Sequence, residues 1–76
     1  MNKQRRDAIS KIRASLENIT AELEELKDQE QNAYDNMPEG LQAADRGQQM
    51  ETAINEMEEA IDSINSAITN LETAEE

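Results

Sequence analysis

Large aliphatic residues recur along the chain at alternating spacings of three and four. In the first half they occupy Ile9, Ile12, Leu16, Ile19, Leu23 and Leu26. In the second half they occupy Met50, Ile54, Met57, Ile61, Ile64, Ile68 and Leu71. Such spacing places one apolar stripe along an α-helix and is typical of the heptad repeat of coiled coils. The pattern therefore predicts an all-α protein built from two long helices.

The segment between the two stripes contains the only proline and both glycines, Pro38, Gly40 and Gly47. Proline disfavours helical backbone at the preceding residue, so helix 1 should end before it, and residues 38–42 should form a short helical turn. We predict one helical hairpin over residues 1–76, with helix 1 at about 3–34, a connector at 35–45 and helix 2 at about 46–74. Asp45, followed three residues later by Gln48, predicts a capping box at the start of helix 2.

The two stripes match each other when the helices run antiparallel. If Ile9 is assigned to heptad position a, then Ile12 is a d position, and each facing layer joins an a residue to a d residue. The predicted layers are Leu26 with Ile54, Leu23 with Met57, Ile19 with Ile61, Leu16 with Ile64, Ile12 with Ile68, and Ile9 with Leu71. Antiparallel coiled coils require this arrangement. The sequence thus predicts an antiparallel two-helix coiled-coil hairpin.

A hairpin of 76 residues without cysteine has little to stabilise it as a monomer. Two helices cover only one side of each other's stripe, so we predict self-association into a helical bundle, with a dimeric four-helix bundle as the simplest case. Alanines repeat every seven residues beside the second stripe and permit close helix approach. The predicted oligomer interface comprises Ala53, Ala60, Ala67, Ile61, Ile64 and Ile68, and the alanine row continues to Ala74.

Catalytic and metal-binding chemistry is not indicated. The chain has no histidine and no cysteine, and its carboxylates point all around both helices instead of converging. We therefore predict neither an enzyme nor a cofactor or metal site. No apolar run approaches a signal peptide or a membrane span, which predicts a cytoplasmic protein with no membrane partner.

Charge is distributed unevenly around a net value of −11. Five of the seven cations lie in the first 13 residues, whereas 17 of the 18 carboxylates follow them. The acidic surface argues against direct nucleic-acid binding. The predicted ligand-binding residues form a basic cluster at the amino end, namely Lys3, Arg5, Arg6 and Lys11. This cluster either neutralises the acids Glu72, Glu75 and Glu76, or gathers in an oligomer to bind the phosphates of a nucleotide.

The connector and its flanks, about residues 29–64, carry the sequence EQNAYDNMPEGLQAADRGQQMETAINEMEEAIDSI. This segment resembles small acidic coiled-coil hairpin proteins of phages and prophages of Gram-positive bacteria. The resemblance rests on the turn from Asp35 to Glu39, followed by an acidic residue, Arg46 and Gly47. Ala44 departs from the polar residue that the pattern would place before the acidic position. The resemblance implies a hairpin fold, a phage context and a location in the cytosol of a bacterial host, and it says little about activity.

We consider three functional hypotheses, all of them non-enzymatic, of which a phage context favours the first two. The first is an oligomeric counter-defence protein that sequesters a host factor or an immune signal, as a cyclic-nucleotide sponge does. The second is an acidic DNA mimic that inhibits a nucleic-acid-binding protein. The third is a structural or adaptor coiled coil. The expected partners are a second copy of the chain and either a cyclic nucleotide or a host defence protein.

Overall fold

The computed structural model describes all 76 residues and contains three helices and no strand. Helix α1 spans Lys3–Asp35, the single-turn helix α2 spans Glu39–Gln42, and helix α3 spans Asp45–Glu75. Helix α1 ends one residue later than expected. Helix α3 begins one residue earlier and ends one residue later than the expected helix 2. The chain is thus all-helical, with a short helical turn in the connector.

Helices α1 and α3 run antiparallel and form a rod of 58 × 14 × 12 Å. Three polar contacts join them along its length. Arg13 Nε lies 2.9 Å from Glu75 Oε1, Lys27 Nζ lies 3.9 Å from Glu58 Oε1, and the Tyr34 hydroxyl donates a hydrogen bond to Glu51. Because these contacts lie near the open end, in the middle and near the connector, the two helices pack along the whole hairpin.

The face of α1 that packs on α3 differs from the predicted one. Ile12, Ile19 and Leu26, which the stripe placed between the helices, expose 55%, 48% and 54% of their surface. The a row still faces α3, but the second inward row of α1 is the e row, one residue beyond the d row. It consists of Arg13, Thr20, Lys27 and Tyr34. Helix α1 is therefore rotated, and its d row lies on the outside of the hairpin.

The polar e row packs on α3 in this rotated orientation. Arg13 makes a charge-assisted hydrogen bond to Glu75, Tyr34 donates a hydrogen bond to Glu51, and Lys27 forms a weaker ion pair with Glu58 at 3.9 Å. The aliphatic stems of arginine and lysine also cover apolar surface while their charged ends stay near water. Thr20 is buried without an unpaired group, because its hydroxyl donates to the Leu16 carbonyl at 2.9 Å.

The helices are also shifted relative to the predicted register. Since Lys27 contacts Glu58 and Tyr34 contacts Glu51, Leu23 lies near Ile61 and not opposite Met57. The observed register therefore differs from the predicted register by about one helical turn. The buried apolar residues all belong to the a row of α3, namely Ile54, Ile61 and Ile68.

The chain reversal depends on close contact between Gly47 and Gln42. A Cβ atom on Gly47 would lie 2.1 Å from the Gln42 carbonyl oxygen, a distance that real Cβ atoms do not show. Gln42 is itself fixed by its side-chain amide, which donates to the Tyr34 carbonyl at 2.8 Å. The turn therefore requires glycine at position 47, because the backbone of Gln42 occupies the space that a Cβ atom at this position would need.

The predicted capping box at Asp45 is wrong. The N-cap residue of α3 is Ala44, with φ −79° and ψ 171°, and no side chain caps this helix. Asp45 is the first helical residue, and the Gln48 amide donates to the Ala43 carbonyl at 3.4 Å instead. Asp45 contributes its negative charge to the first turn, where it interacts favourably with the helix dipole.

Replacing Gly47 with alanine should destabilise the hairpin by about 1 to 3 kcal/mol, because the Cβ atom meets backbone that cannot move freely. Gly40→Ala is the matched control, since a Cβ atom there has no neighbour within 4 Å and alanine favours helix. Chemical denaturation followed by circular dichroism measures both. Equal effects of the two substitutions would contradict the close contact.

Ala44→Ser should stabilise the protein by about 1 kcal/mol, because serine supplies the missing acceptor at the N-cap of α3. Ala43→Ser serves as the control, because Ala43 has helical backbone and is the C-cap residue of α2. Thermal unfolding of the two variants compares them directly. A gain for Ala43→Ser equal to that of Ala44→Ser would place the helix start elsewhere.

Candidate functional site

The hairpin has two long faces of opposite chemistry. The polar face carries the e rows of both helices, with Arg13, Lys27 and Tyr34 on α1 and Glu51 and Glu58 on α3. On a helix the d row and the e row lie on opposite sides of the a row. The d rows of α1 and α3 therefore lie together on the other face, which we call the apolar face.

Arg13 is the centre of the ion-pair network on the polar face. Its guanidinium contacts Glu75 of α3 and Glu17 one turn along α1, each at 2.9 Å. Hydrogen bonds to Glu75 and then to Glu17 raise the pKa of Arg13 above its ordinary value. The predicted site omitted this residue, although the spacing of four to Glu17 was a visible signal for an ion pair within the helix.

The apolar face begins with the exposed row of α1, Ile12, Ile19 and Leu26. Next to it on α3 lies the half-buried d row, Met50, Met57, Ile64 and Leu71, followed by the alanine row, Ala53, Ala60, Ala67 and Ala74. At the connector end the face continues into a shallow depression lined by Ala33, Met37, Leu41, Ala44, Arg46 and Met50. One side of the rod is thus apolar along its length.

The borders of the apolar face carry few charges. On α1 the bordering heptad row is Ser15, Glu22 and Gln29, and on α3 it is Gln49, Glu56, Ser63 and Asn70. The chain contains 18 carboxylates, yet each border row contains only one. An apolar centre with a largely uncharged polar rim is the typical composition of a protein–protein interface.

The structure places the predicted interface residues in two different environments. Ile61 and Ile68 expose only 6% and 9% of their surface and belong to the core of the hairpin. They are therefore not available to a second copy, which corrects the prediction for these two residues. Ile64, Ala53 and Ala67 are half-buried, and Ala60 is exposed. The largest exposed side chains of the face come from α1, whose d row the prediction had assigned to the core.

The basic cluster remains dispersed in a single chain. Lys3, Arg5, Arg6 and Lys11 are all exposed, and the only ion pair among them joins Lys3 to Asp7 at 3.9 Å. Glu75, one of the three acids expected to neutralise the cluster, contacts Arg13 instead. None of the concave sites on the protein is lined by these four cations. The cluster therefore does not form a pocket within one hairpin.

Comparison with known proteins identified no relative of this chain. No protein-family model, no curated protein and no solved structure matches it. No group of three or more carboxylates converges in a geometry that would hold a metal ion. None of the helices has the length and hydropathy needed to cross a membrane.

The contact between Tyr34 and Glu51 provides a spectroscopic test of the polar face. The hydrogen bond to Glu51 and then burial raise the pKa of the Tyr34 phenol above its ordinary value of 10.0. A raised pKa favours the neutral phenol, so its contribution to stability is present below pH 10 and is lost as the pH rises through the folded-state pKa. Tyr34 is the only aromatic residue, so its ultraviolet absorbance reports this titration alone.

We expect Tyr34 to ionise above pH 10 in the native protein and closer to its ordinary value in Glu51→Gln, which removes the carboxylate. Glu59→Gln is the control, because Glu59 is exposed and makes no ion pair or hydrogen bond. A phenol that titrates identically in the wild type and in Glu51→Gln would contradict this contact.

Proposed function

We propose that the protein is a non-enzymatic helical interaction module that acts as a self-associated bundle of hairpins. A single observation carries the proposal, namely the three large aliphatic side chains of Ile12, Ile19 and Leu26, each about half exposed and spaced by one heptad. Exposed apolar patches of this size and regularity mark interaction surfaces. Of the three hypotheses for function, the structural or adaptor coiled coil agrees best with this surface.

The size of the apolar face supports association between two copies. The rod is 58 Å long and 14 Å wide, so one whole side has an area of about 800 Å², and two such sides would bury at most about 1,600 Å² in total. That value is the usual size of a specific and stable interface. Methionine, isoleucine and leucine alternate with alanine across the face, which allows side chains of one copy to fit beside small residues of the other.

The remaining surface is strongly acidic, and each hairpin adds a net charge of −11 to the assembly. A surface of one sign keeps an assembled rod soluble and attracts positively charged partners. Such an assembly would act by presenting a rigid acidic surface, without chemical change of a partner. The DNA-mimic hypothesis shares this acidic surface, but the carboxylates alone do not favour it over an adaptor.

The cyclic-nucleotide sponge has weaker support. It requires Lys3, Arg5, Arg6 and Lys11 to converge on a phosphate, and these residues lie exposed on the first two to three turns of one helix. Convergence would need the basic ends of two or more chains to meet. The arrangement of copies in the assembly therefore decides whether such a pocket exists.

Ile19→Asp should dissociate the assembly and lower its thermal stability, because Ile19 lies outside the hairpin core, on the face that the second copy would cover. A carboxylate buried without a partner in each copy should weaken association at least about 100-fold. Sedimentation equilibrium measures the association, and circular dichroism measures the helix content.

Two further variants make this test specific. Ala21→Asp adds the same charge at an exposed position away from the apolar face and should leave association unchanged. Ile61→Asp places the charge in the hairpin core and should unfold the chain, because Ile61 is 6% exposed. A wild-type protein that sediments as a monomer at high concentration would refute the proposed function.

A further inference from the structure

The exposed apolar residues of the chain indicate how two copies are oriented. The large hydrophobic side chains that the hairpin leaves exposed are Met1, Ile12, Ile19, Leu26 and Leu41. Two hairpins that share an apolar face are related by a two-fold axis in the plane between them. The axis runs either along the rod, which brings both open ends together, or across it, which places each open end on the partner's connector.

We propose that the apolar face binds a second copy antiparallel, with the two-fold axis crossing the rod at Ile19. This inference rests on the self-association proposed above and adds the orientation of the copies. In this arrangement α1 packs on α1 of the second copy, and α3 packs on α3. Ile19 then meets its own equivalent, and Ile12 meets Leu26 of the second copy.

The same axis brings Met1 to the partner's connector. Met1 and Met37 are equally distant from Ile19 along the chain, so Met1 reaches the depression formed by Met37, Leu41 and Met50. Each exposed large hydrophobic residue thus acquires an apolar neighbour in one symmetric contact. With the axis along the rod, Met1 would extend past the end of α3 and would have no such neighbour.

The alanine row of α3 is compatible with the same axis. Lys27 lies level with Glu58, and Tyr34 lies level with Glu51, which places Ile19 level with Asn65 and Ser66. The midpoint of the alanine row falls between Ala60 and Ala67, less than one helical turn away. One crossing axis therefore centres the large row of α1 and the small row of α3 together.

The distribution of charge favours this orientation over the other. The open end carries five cations and five carboxylates that balance each other, namely Lys3, Arg5, Arg6, Lys11 and Arg13 against Asp7, Glu17, Glu72, Glu75 and Glu76. The connector half has only Lys27 and Arg46 as cations, and its acids include Glu25, Asp28, Glu30, Asp35, Glu39, Asp45 and Glu51. An antiparallel pair places each balanced open end on an acidic connector, whereas the other orientation would bring two acidic connectors together and add repulsion.

The orientation has a consequence for ligand binding. An antiparallel dimer holds its two basic clusters at opposite ends of a rod of about 58 Å, so the cations of the two copies do not converge. The dimer does not contain the phosphate pocket that a nucleotide sponge needs. The alternative orientation would bring the two clusters to one end.

Disulfide trapping tests the orientation, because the chain contains no natural cysteine. Under mild oxidation, Ile19→Cys should form a covalent dimer as its main product, and an equimolar mixture of Ile12→Cys and Leu26→Cys should form the mixed dimer. Ile12→Cys alone should remain largely uncrosslinked. Crosslinking between Ile19→Cys and Ala67→Cys, with none for Ile19→Cys alone, would show the opposite orientation and overturn the inference.

A second measurement does not depend on substitutions in the interface. A spin label attached to Gln4→Cys lies at the exposed open end. Pulsed electron paramagnetic resonance spectroscopy measures the distance between the labels of the two copies. The antiparallel dimer predicts about 45 Å, from a rise of about 1.5 Å per residue, and the opposite orientation predicts about 25 Å or less. A short distance overturns the orientation but leaves self-association intact, whereas a monomer in sedimentation refutes both proposals.

Discussion

Two helices can cover only one side of each other, and every other feature of this protein depends on that constraint. Only five of 76 residues are buried, and no large side chain is fully buried. The hairpin thus leaves much of its apolar surface in water, and the remaining question is which residues are exposed. In this hairpin the e row of α1 packs on α3, with Arg13 and Lys27 paired to its carboxylates, and Ile12, Ile19 and Leu26 face outward.

The rotation of α1 gives the apolar residues of the chain two separate tasks. The isoleucines Ile54, Ile61 and Ile68 form the core of the hairpin, while Ile12, Ile19 and Leu26 form the exposed surface to which we propose that a second copy binds. A hairpin with all six residues in one seam would have a better core and no regular external surface. The proposed function as an assembling module follows from this division, and the dispersed basic cluster argues against a ligand pocket in one chain.

Periodicity and turn residues were sufficient to predict the helices, because strict spacing of apolar residues and the placement of Pro38 and Gly47 are local signals. The rotation of α1 was not predictable from the stripe. Ile9, Leu16 and Leu23 can be combined with the d row or with the e row, and the choice depends on contacts such as Arg13 with Glu75 between residues far apart in the chain. The N-cap was mispredicted because Asp45, whose side chain could cap a helix, is the first residue of α3, and Ala44 occupies the N-cap position. The candidate interface stays a prediction. Its alanines and Ile64 lie on the apolar face, whereas Ile61 and Ile68 are buried in the hairpin because α1 packs on them.

The central claim is that the hairpin depends on a second copy to cover its apolar face. The most direct test is thermal unfolding of the wild-type protein, followed by circular dichroism over a hundredfold range of concentration. If folding and association are coupled, mass action requires the midpoint to rise with protein concentration in a single transition. A midpoint that stays constant over the whole range would contradict the account, because it would show a hairpin that is stable alone.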